Sequence, residues 1–293
     1  MILHLINEGE AELSHYKIEN PRLNSELLLS KILKTDRTLL YFDFDREITK
    51  DAIADFKKLI QLRCQHTPIQ HLTGTQAFRN LELFVGPGVF IPRPETEQLV
   101  SIALDVIPSA IPAVTPAVIP AKAGIHCLDI GTGTGAIPLA ITSETSDTYF
   151  DAVELSPDAF IFAERNLKTY LQLRERINLI LADIFTFTPT SRYDLIISNP
   201  PYIPTDEIRN LPPEVSNGDP FVALDGGGSG VEFLFNLADL ITDWLAPNGW
   251  FISEIGEDQG DRIIKHFKEK KFKNVSIKQD FNKRDRFLIA SGV

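Results

Sequence analysis

Asn199 is followed by Pro200, Pro201 and Tyr202, and these residue types in this order suit one kind of chemistry. Proline disfavours the α region in the residue before it and restricts its own φ, so residues 199–201 read as a rigid, extended corner. Such a corner presents one amide side chain and unpaired backbone carbonyls. The Asn199 Oδ1 and the Pro200 carbonyl are two acceptors able to grip both protons of a planar amide or amino group. Tyr202 adds an aromatic face for a flat substrate or a cationic methyl group.

A second constellation runs Asp129-Ile130-Gly131-Thr132-Gly133-Thr134-Gly135-Ala136. Glycines at a strand-to-helix turn let the backbone approach a ligand, and free N–H groups at the helix start favour an anionic group. Glu154 closes the next expected strand, where a carboxylate accepts hydrogen bonds from both hydroxyls of a ribose. Loop and acid together point to an adenosine-containing cofactor without selecting which, since Gly131, Gly133 and Ala136 also fit the loose dinucleotide fingerprint.

These residues need a scaffold that brings loops 129–136 and 199–202 together. After His126 short apolar strands alternate with helices. Strands are expected at 127–130, 150–153, 177–181, 193–198 and 250–254, then near 275–278 and 286–290. Helices are expected from Ala136, from Pro157 behind a Ser156 cap, over 231–245 and over 259–268. That alternation predicts an α/β fold with a mostly parallel, doubly wound sheet. Before it, residues 1–71 read as helices, with Asn20 and Thr49 as N-caps. Residues 77–78 and 81–85 alternate, Gly86-Pro87-Gly88 breaks the chain and 89–91 resumes it, which predicts a β-hairpin. Residues 107–122 carry a proline at every fourth position and read as an extended, low-complexity insert.

Composition bounds the function. The chain has 293 residues, 43% apolar and 24% charged, with a net charge of −11. That is a soluble globular composition and a poor footprint for a nucleic-acid backbone. Two cysteines give no disulfide framework and fit a reducing compartment. Cys64, His66 and His71 lack a fourth ligand, so no metal is expected. The N-terminus turns acidic at once, which reads against a signal peptide, and the apolar stretch 106–121 is too short and too proline-rich for a membrane helix. Lysines 265, 268, 270, 271 and 273 read as a solvated helix end.

With residues 72–74, the run Phe90-Ile91-Pro92-Arg93-Pro94-Glu95-Thr96-Glu97, the loop 129–135 and Asn199-Pro200-Pro201-Tyr202 in place, the chain resembles the PrmC/HemK family. Members of that family use S-adenosylmethionine to methylate the glutamine of the Gly-Gly-Gln motif in class I peptide-chain release factors. The resemblance covers nearly the whole chain and implies a seven-stranded Rossmann-like methyltransferase sheet with a small N-terminal helical domain joined by a β-hairpin. It divides the chain into a substrate-recognition domain at 1–71, a connector at 72–92 and a methyltransferase domain at 93–293 that carries the 107–122 insert. It implies that Gly131, Thr132, Gly133, Thr134 and Gly135 hold the amino-acid end of the cofactor. Glu154 would take the ribose, Asp183 and Ile184 would flank the adenine, and Asn199 would border the cofactor. Asn199 and Pro200 would grip the glutamine amide, with Pro201 and Tyr202 beside it. The implied product is S-adenosylhomocysteine, and the expected setting is a cytoplasmic monomer acting on release factors, with no nucleic acid and no membrane.

An amide nitrogen is hardly basic, so catalysis is expected from positioning and from acceptors that stabilise the charge developing on nitrogen. A DNA adenine methyltransferase is the rival enzyme, since an exocyclic amino group fits the same grip, but it needs a basic cleft and base flipping. An NAD-dependent oxidoreductase leaves residues 199–202 unexplained, and a non-catalytic cofactor-binding module stays open at this level.

Overall fold

Leucines and isoleucines at helical spacing close a first core. The computed structural model describes residues 1–42, 46–110 and 124–293. In it, helices α1 (Ile2–His15), α2 (Pro21–Leu33) and α3 (Lys50–Cys64) bury Ile6, Leu13, Leu28, Leu29, Phe56 and Ile60 against one another, followed by the short α4 (Ile69–Thr73). Thr49 caps α3, its hydroxyl accepting from the Ala52 N–H. Asn20 does not cap α2 as expected: its backbone is left-handed, at φ 50°, and its side chain makes no bond to the first turn. Pro21 at the first helical position needs no cap bond for its missing N–H. These helices form a compact unit, Met1–Thr75, that also takes in Val85–Pro87 and Leu211–Gly218. Inside it the buried Arg63 donates to Asn24 Oδ1 at 2.7 Å and to Glu214 Oε1 at 2.5 Å.

The hairpin is shorter than its alternation suggests. Strands β1 (Thr75–Phe78) and β2 (Leu81–Phe84) pair around a turn in which Arg79 adopts φ 51°. Val89 and Ile91 are buried but join no strand. The Ile91 N–H goes to Asp219 Oδ1 at 3.2 Å instead of to a ladder, and the prolines on either side, Pro87 and Pro92, have no N–H to give. Helix α5 (Pro94–Ala110) runs further than expected and takes Pro108 into its final turn, where a missing N–H costs least. Residues 111–122 of the proline-rich insert lie outside the described residues.

The second compact unit, which holds Gly88–Asn210 and Asp219–Val293, contains the expected doubly wound sheet. Its strands are β3 (Ile125–Ile130), β4 (Thr148–Glu154), β5 (Ile177–Leu181), β6 (Tyr193–Ser198), β7 (Leu245–Glu254), β8 (Asn274–Gln279) and β9 (Asp285–Ser291), in the order β5-β4-β3-β6-β7-β9-β8. Pairing is parallel from β5 through β7, and β9 is antiparallel to both β7 and β8. Helices α6 (Ala136–Glu144), α7 (Pro157–Thr169), the one-turn α8 (Pro213–Ser216) and α9 (Phe221–Leu224), α10 (Glu232–Trp244) and α11 (Gly260–Glu269) complete the chain. Ser156 caps α7 through the Ala159 N–H, ahead of Pro157.

Period-2 alternation feeds two cores. Leu195 and Ile197 pack with Leu99, Ile137 and Leu139 on one face, while Ile196 packs with Leu237, Ile241 and Phe267 on the other. Each such fully buried side chain contributes about 1.5–3 kcal/mol of hydrophobic free energy. The strand order reverses between β3 and β6, and a crevice for ligands forms outside the carboxyl ends of the strands at such a point. Among the described residues no helix is long and apolar enough to cross a membrane.

Candidate active site

Register brings the expected residues to one edge of the sheet. Ile130 pairs with both Val153 and Ser198, Glu154 with Leu181, and Ser198 with Ser253. The segments carrying Gly131, Glu154, Asp183, Asn199 and Glu254 therefore leave their strands side by side. The Ser198 hydroxyl, bonded to the Ile130 carbonyl at 2.8 Å, ties the two central exits together.

The glycine loop is built for close approach. Gly131, Gly133 and Gly135 all have positive φ, at 73°, 57° and 78°, a region that L side chains enter at a cost. A Cβ placed on Gly131 or Gly133 would meet nothing within 4 Å, so the space above them is an open cradle. Thr132 and Thr134 between them are buried, and the Thr134 carbonyl accepts from Asn166 Nδ2 at 2.9 Å. Glu154 is aimed by two backbone donors: Gly133 N–H reaches Oε2 at 2.7 Å and Ser156 N–H reaches Oε1 at 2.8 Å. Each oxygen keeps a further lone pair for a ligand hydroxyl.

Below the loop, Asp129 is fully buried, and neither of its carboxylate oxygens completes a hydrogen bond. Burial pushes its pKa up to about 7; the nearby Thr132 hydroxyl pulls it down and the Glu154 charge adds to the rise. An orphaned carboxylate under an open cradle fits a ligand that brings a cationic amino group, as the amino-acid end of S-adenosylmethionine does. Asp183 is exposed on the β5 side, its Oδ1 accepting from Phe185 N–H at 3.0 Å, and the adjoining Ala182 N–H bonds the Glu154 carbonyl. Ile184 belongs to the core at 6% exposure, so only its backbone is left to meet a ligand. The large apolar side chains exposed near this end include Leu155, Leu181 and Phe185, none of which was expected at the site.

At the end of β6, Asn199 donates from Nδ2 to the Thr96 hydroxyl at 3.0 Å. Thr96 in turn donates to Glu254 Oε2 at 3.0 Å, and Tyr202 donates its phenol to Glu254 Oε1 at 2.9 Å. With its amino side committed to Thr96, Asn199 keeps Oδ1 as a free acceptor among the described residues. No protein donor among them reaches the Pro200 carbonyl either. Pro200 is buried, and Pro201 and Tyr202 are half-buried. Gln259 fixes the corner from below, donating to the Tyr202 carbonyl at 2.8 Å while accepting from Gly256 N–H. The Arg286 guanidinium lies 5.8 Å from the Tyr202 ring centre. Glu254 is buried and its pKa is pushed up to about 7 by that burial, against the pull of Tyr202, Thr96 and Arg286. Thr96 and Glu254 escaped the sequence reading as site residues. Their signals were the Pro94-Glu95-Thr96-Glu97 run and a carboxylate at the end of an inner strand. Just before that run, Arg93 pairs with the buried Asp219.

Comparison with known proteins bears on the family. A family model described as the PrmC N-terminal domain matches residues 4–74, and one described as the methyltransferase small domain matches residues 116–210. The release factor glutamine methyltransferase of Geobacter sulfurreducens is 35% identical over 271 residues, which is 92% of this chain and 89% of that one. The release factor glutamine methyltransferase of Bifidobacterium longum is 34% identical over 99% of each chain, and that of Mycolicibacterium smegmatis is 34% identical over 98% and 96%. Among solved structures, the hMettl16 catalytic domain bound to a MAT2A 3′UTR hairpin superposes with a TM-score of 0.56. It is 17% identical and covers 72% of this chain and 76% of its own, a likeness of fold alone.

Proposed function

The chain belongs to the family of release factor glutamine methyltransferases, and on that premise we propose that Asn199 and Pro200 grip the side-chain amide of the glutamine in the Gly-Gly-Gln motif of class I release factors. The cofactor is S-adenosylmethionine, which when bound supplies an electrophilic sulfonium methyl group and leaves as S-adenosylhomocysteine. Gly131, Thr132, Gly133, Thr134 and Gly135 hold its amino-acid end, Glu154 its ribose, and Asp183 with the backbone of Ile184 its adenine; Asn199 borders it.

The observation that carries this reading is the orientation of the Asn199 amide, whose Nδ2 donates to Thr96 and whose Oδ1 has no donor among the described residues. Asn199 Oδ1 and the Pro200 carbonyl accept the two N–H groups of the substrate amide. Drawing on both protons returns electron density to a nitrogen whose lone pair is otherwise delocalised. As that nitrogen gains positive charge, the same two oxygens, already in place, stabilise it, and its extra proton leaves to water. Tyr202, held through Glu254 and Gln259, and Pro201 wall the amide plane. Residues 1–71 serve substrate recognition, with 72–92 as the connector. The acidic net charge supports a protein partner over a nucleic acid, and the protein acts as a cytoplasmic monomer.

The test is mass spectrometry of a class I release factor before and after incubation with the protein and S-adenosylmethionine. The expected result is a single-methyl gain on the Gly-Gly-Gln glutamine. No gain there, with methylation of adenine in duplex DNA instead, overturns the reading.

A further inference from the structure

A hydroxyl has one proton, and in this site that fact propagates. Glu254 lies at the end of β7 with 2% exposure, and both of its oxygens receive hydroxyl protons, Oε1 from Tyr202 and Oε2 from Thr96. An ionised carboxylate accepts both hydroxyl protons, whereas a protonated one must itself donate and so reverses one of the two bonds. With its proton directed at Glu254, the Thr96 oxygen can only accept. It therefore meets the amino side of Asn199, at 3.0 Å, and the Asn199 carbonyl oxygen is turned the other way.

Building on the amide grip proposed above, we infer that ionised Glu254 is a positioning residue for methyl transfer, setting through Thr96 which face of the Asn199 amide meets the substrate. Glu254 touches neither substrate nor cofactor in this scheme. Its effect is on the rotational state of an amide whose two ends have similar shape and opposite hydrogen-bonding character.

A proton on Glu254 loosens that control. Placed on Oε2, it donates to Thr96, whose own proton then swings toward Asn199. The Asn199 oxygen then competes with its amino group for Thr96, and wherever it turns inward the acceptor leaves the grip. Placed on Oε1, the proton only reverses the Tyr202 bond. Protonation therefore lowers the gripping fraction without abolishing it. The charged and titratable groups facing Glu254 are Tyr202 from the β6 exit, Arg286 from β9, which favours the ion, and Glu95 from α5, which opposes it. Burial brings the balance to about pH 7, so the switch lies in a working range.

The experiment uses the full chain with an intact class I release factor, measuring kcat on both sides of pH ~7, alongside calorimetry with S-adenosylhomocysteine. In wild type kcat is expected to fall to a lower plateau on the acid side. Glu254→Gln should lower kcat about tenfold and flatten the profile. It should leave the release-factor KM and the S-adenosylhomocysteine affinity within about twofold of wild type. Thr96→Val should show the same kcat loss, and Thr96→Ser should recover most of it. In ¹⁵N spectra of the substrate-free protein, the side-chain amide signals of Asn199 should titrate near pH 7 in wild type and not in Glu254→Gln. Wild-type kcat in Glu254→Gln or Thr96→Val, or Asn199 signals that ignore pH, overturns the inference. If wild type methylates no release factor, the parent reading fails, while the Asn199 titration still decides the role of Glu254.

Discussion

One amide group carries the chemistry, so its removal is the sharpest test at the scale of the residue. Asn199→Ala deletes an acceptor whose value grows as the substrate nitrogen becomes positive, and kcat should fall about a hundredfold or more. The glycine cradle and Glu154 stay intact, so calorimetry should find S-adenosylhomocysteine affinity largely kept; near-normal turnover would rule out the two-acceptor grip. Asp129 makes a different prediction. Its ordinary pKa of 3.8 rises to about 7 in the folded chain, chiefly through burial. Between those values the native state holds a proton that the unfolded chain has released. The stability this group gives is therefore full below pH ~4 and lost as pH rises through about 7, with a slope of up to about 1.4 kcal/mol per pH unit. Asp129→Asn should flatten the dependence of the urea midpoint on pH in that window, and an unchanged slope would show that Asp129 titrates normally. Asn199, Glu154 and the glycines were legible because proline, glycine and a strand-end acid each leave a local signature. Glu254 carries the same strand-end signature as Glu154, but its pairing with Thr96 was not legible, because that bond joins positions 158 apart in sequence.

Elements hold these groups to their positions, and a helix that reaches sideways does much of it. Asn166 on α7 is fully buried. Its side chain accepts from the Phe84 N–H at 2.7 Å and donates to the Phe84 carbonyl and to the Thr134 carbonyl, at 3.1 and 2.9 Å. It therefore joins β2 to the glycine loop. Asn166→Ala leaves buried backbone groups unpaired and should cost about 2–4 kcal/mol by urea denaturation. It should also weaken S-adenosylhomocysteine binding, because the Thr134 segment loses its anchor. A variant as stable as wild type would mean that water or rearrangement replaces those bonds. Strands β5 and β6 were readable from sequence to the residue, since a buried parallel strand is an apolar run closed by a turn, whereas β3, β4 and β7 begin two to five residues before their expected starts. The hairpin was overextended because Val89 and Ile91 alternate and are buried as strand residues are. What sequence could not reveal is that the Ile91 N–H is taken by Asp219. Pro108 misled in the opposite sense, since a proline near a helix end forfeits little.

At the scale of the whole molecule the question is how a methyltransferase finds one glutamine on a protein. The grip at Asn199 recognises an amide and nothing more, so selection of a release factor requires contact area elsewhere. The helical unit has its own core, yet it leaves Leu39, Tyr41 and Phe42 exposed at 49%, 37% and 83%. Leu39 and Phe42, exposed on a well-packed unit, suit a protein-binding surface. If that surface docks the release factor, the intact factor should be a far better substrate than a short peptide carrying Gly-Gly-Gln. Phe42→Ser should then raise KM for the intact factor about tenfold or more. Turnover of the peptide should be unaltered, and so should the thermal midpoint, because Phe42 is 83% exposed and buries little to lose. Steady-state kinetics with both substrates separates the outcomes. Equal losses on factor and peptide would mean a disturbed catalytic unit. No loss on either would place the docking surface away from Phe42, and a peptide as good as the intact factor would remove the need for one.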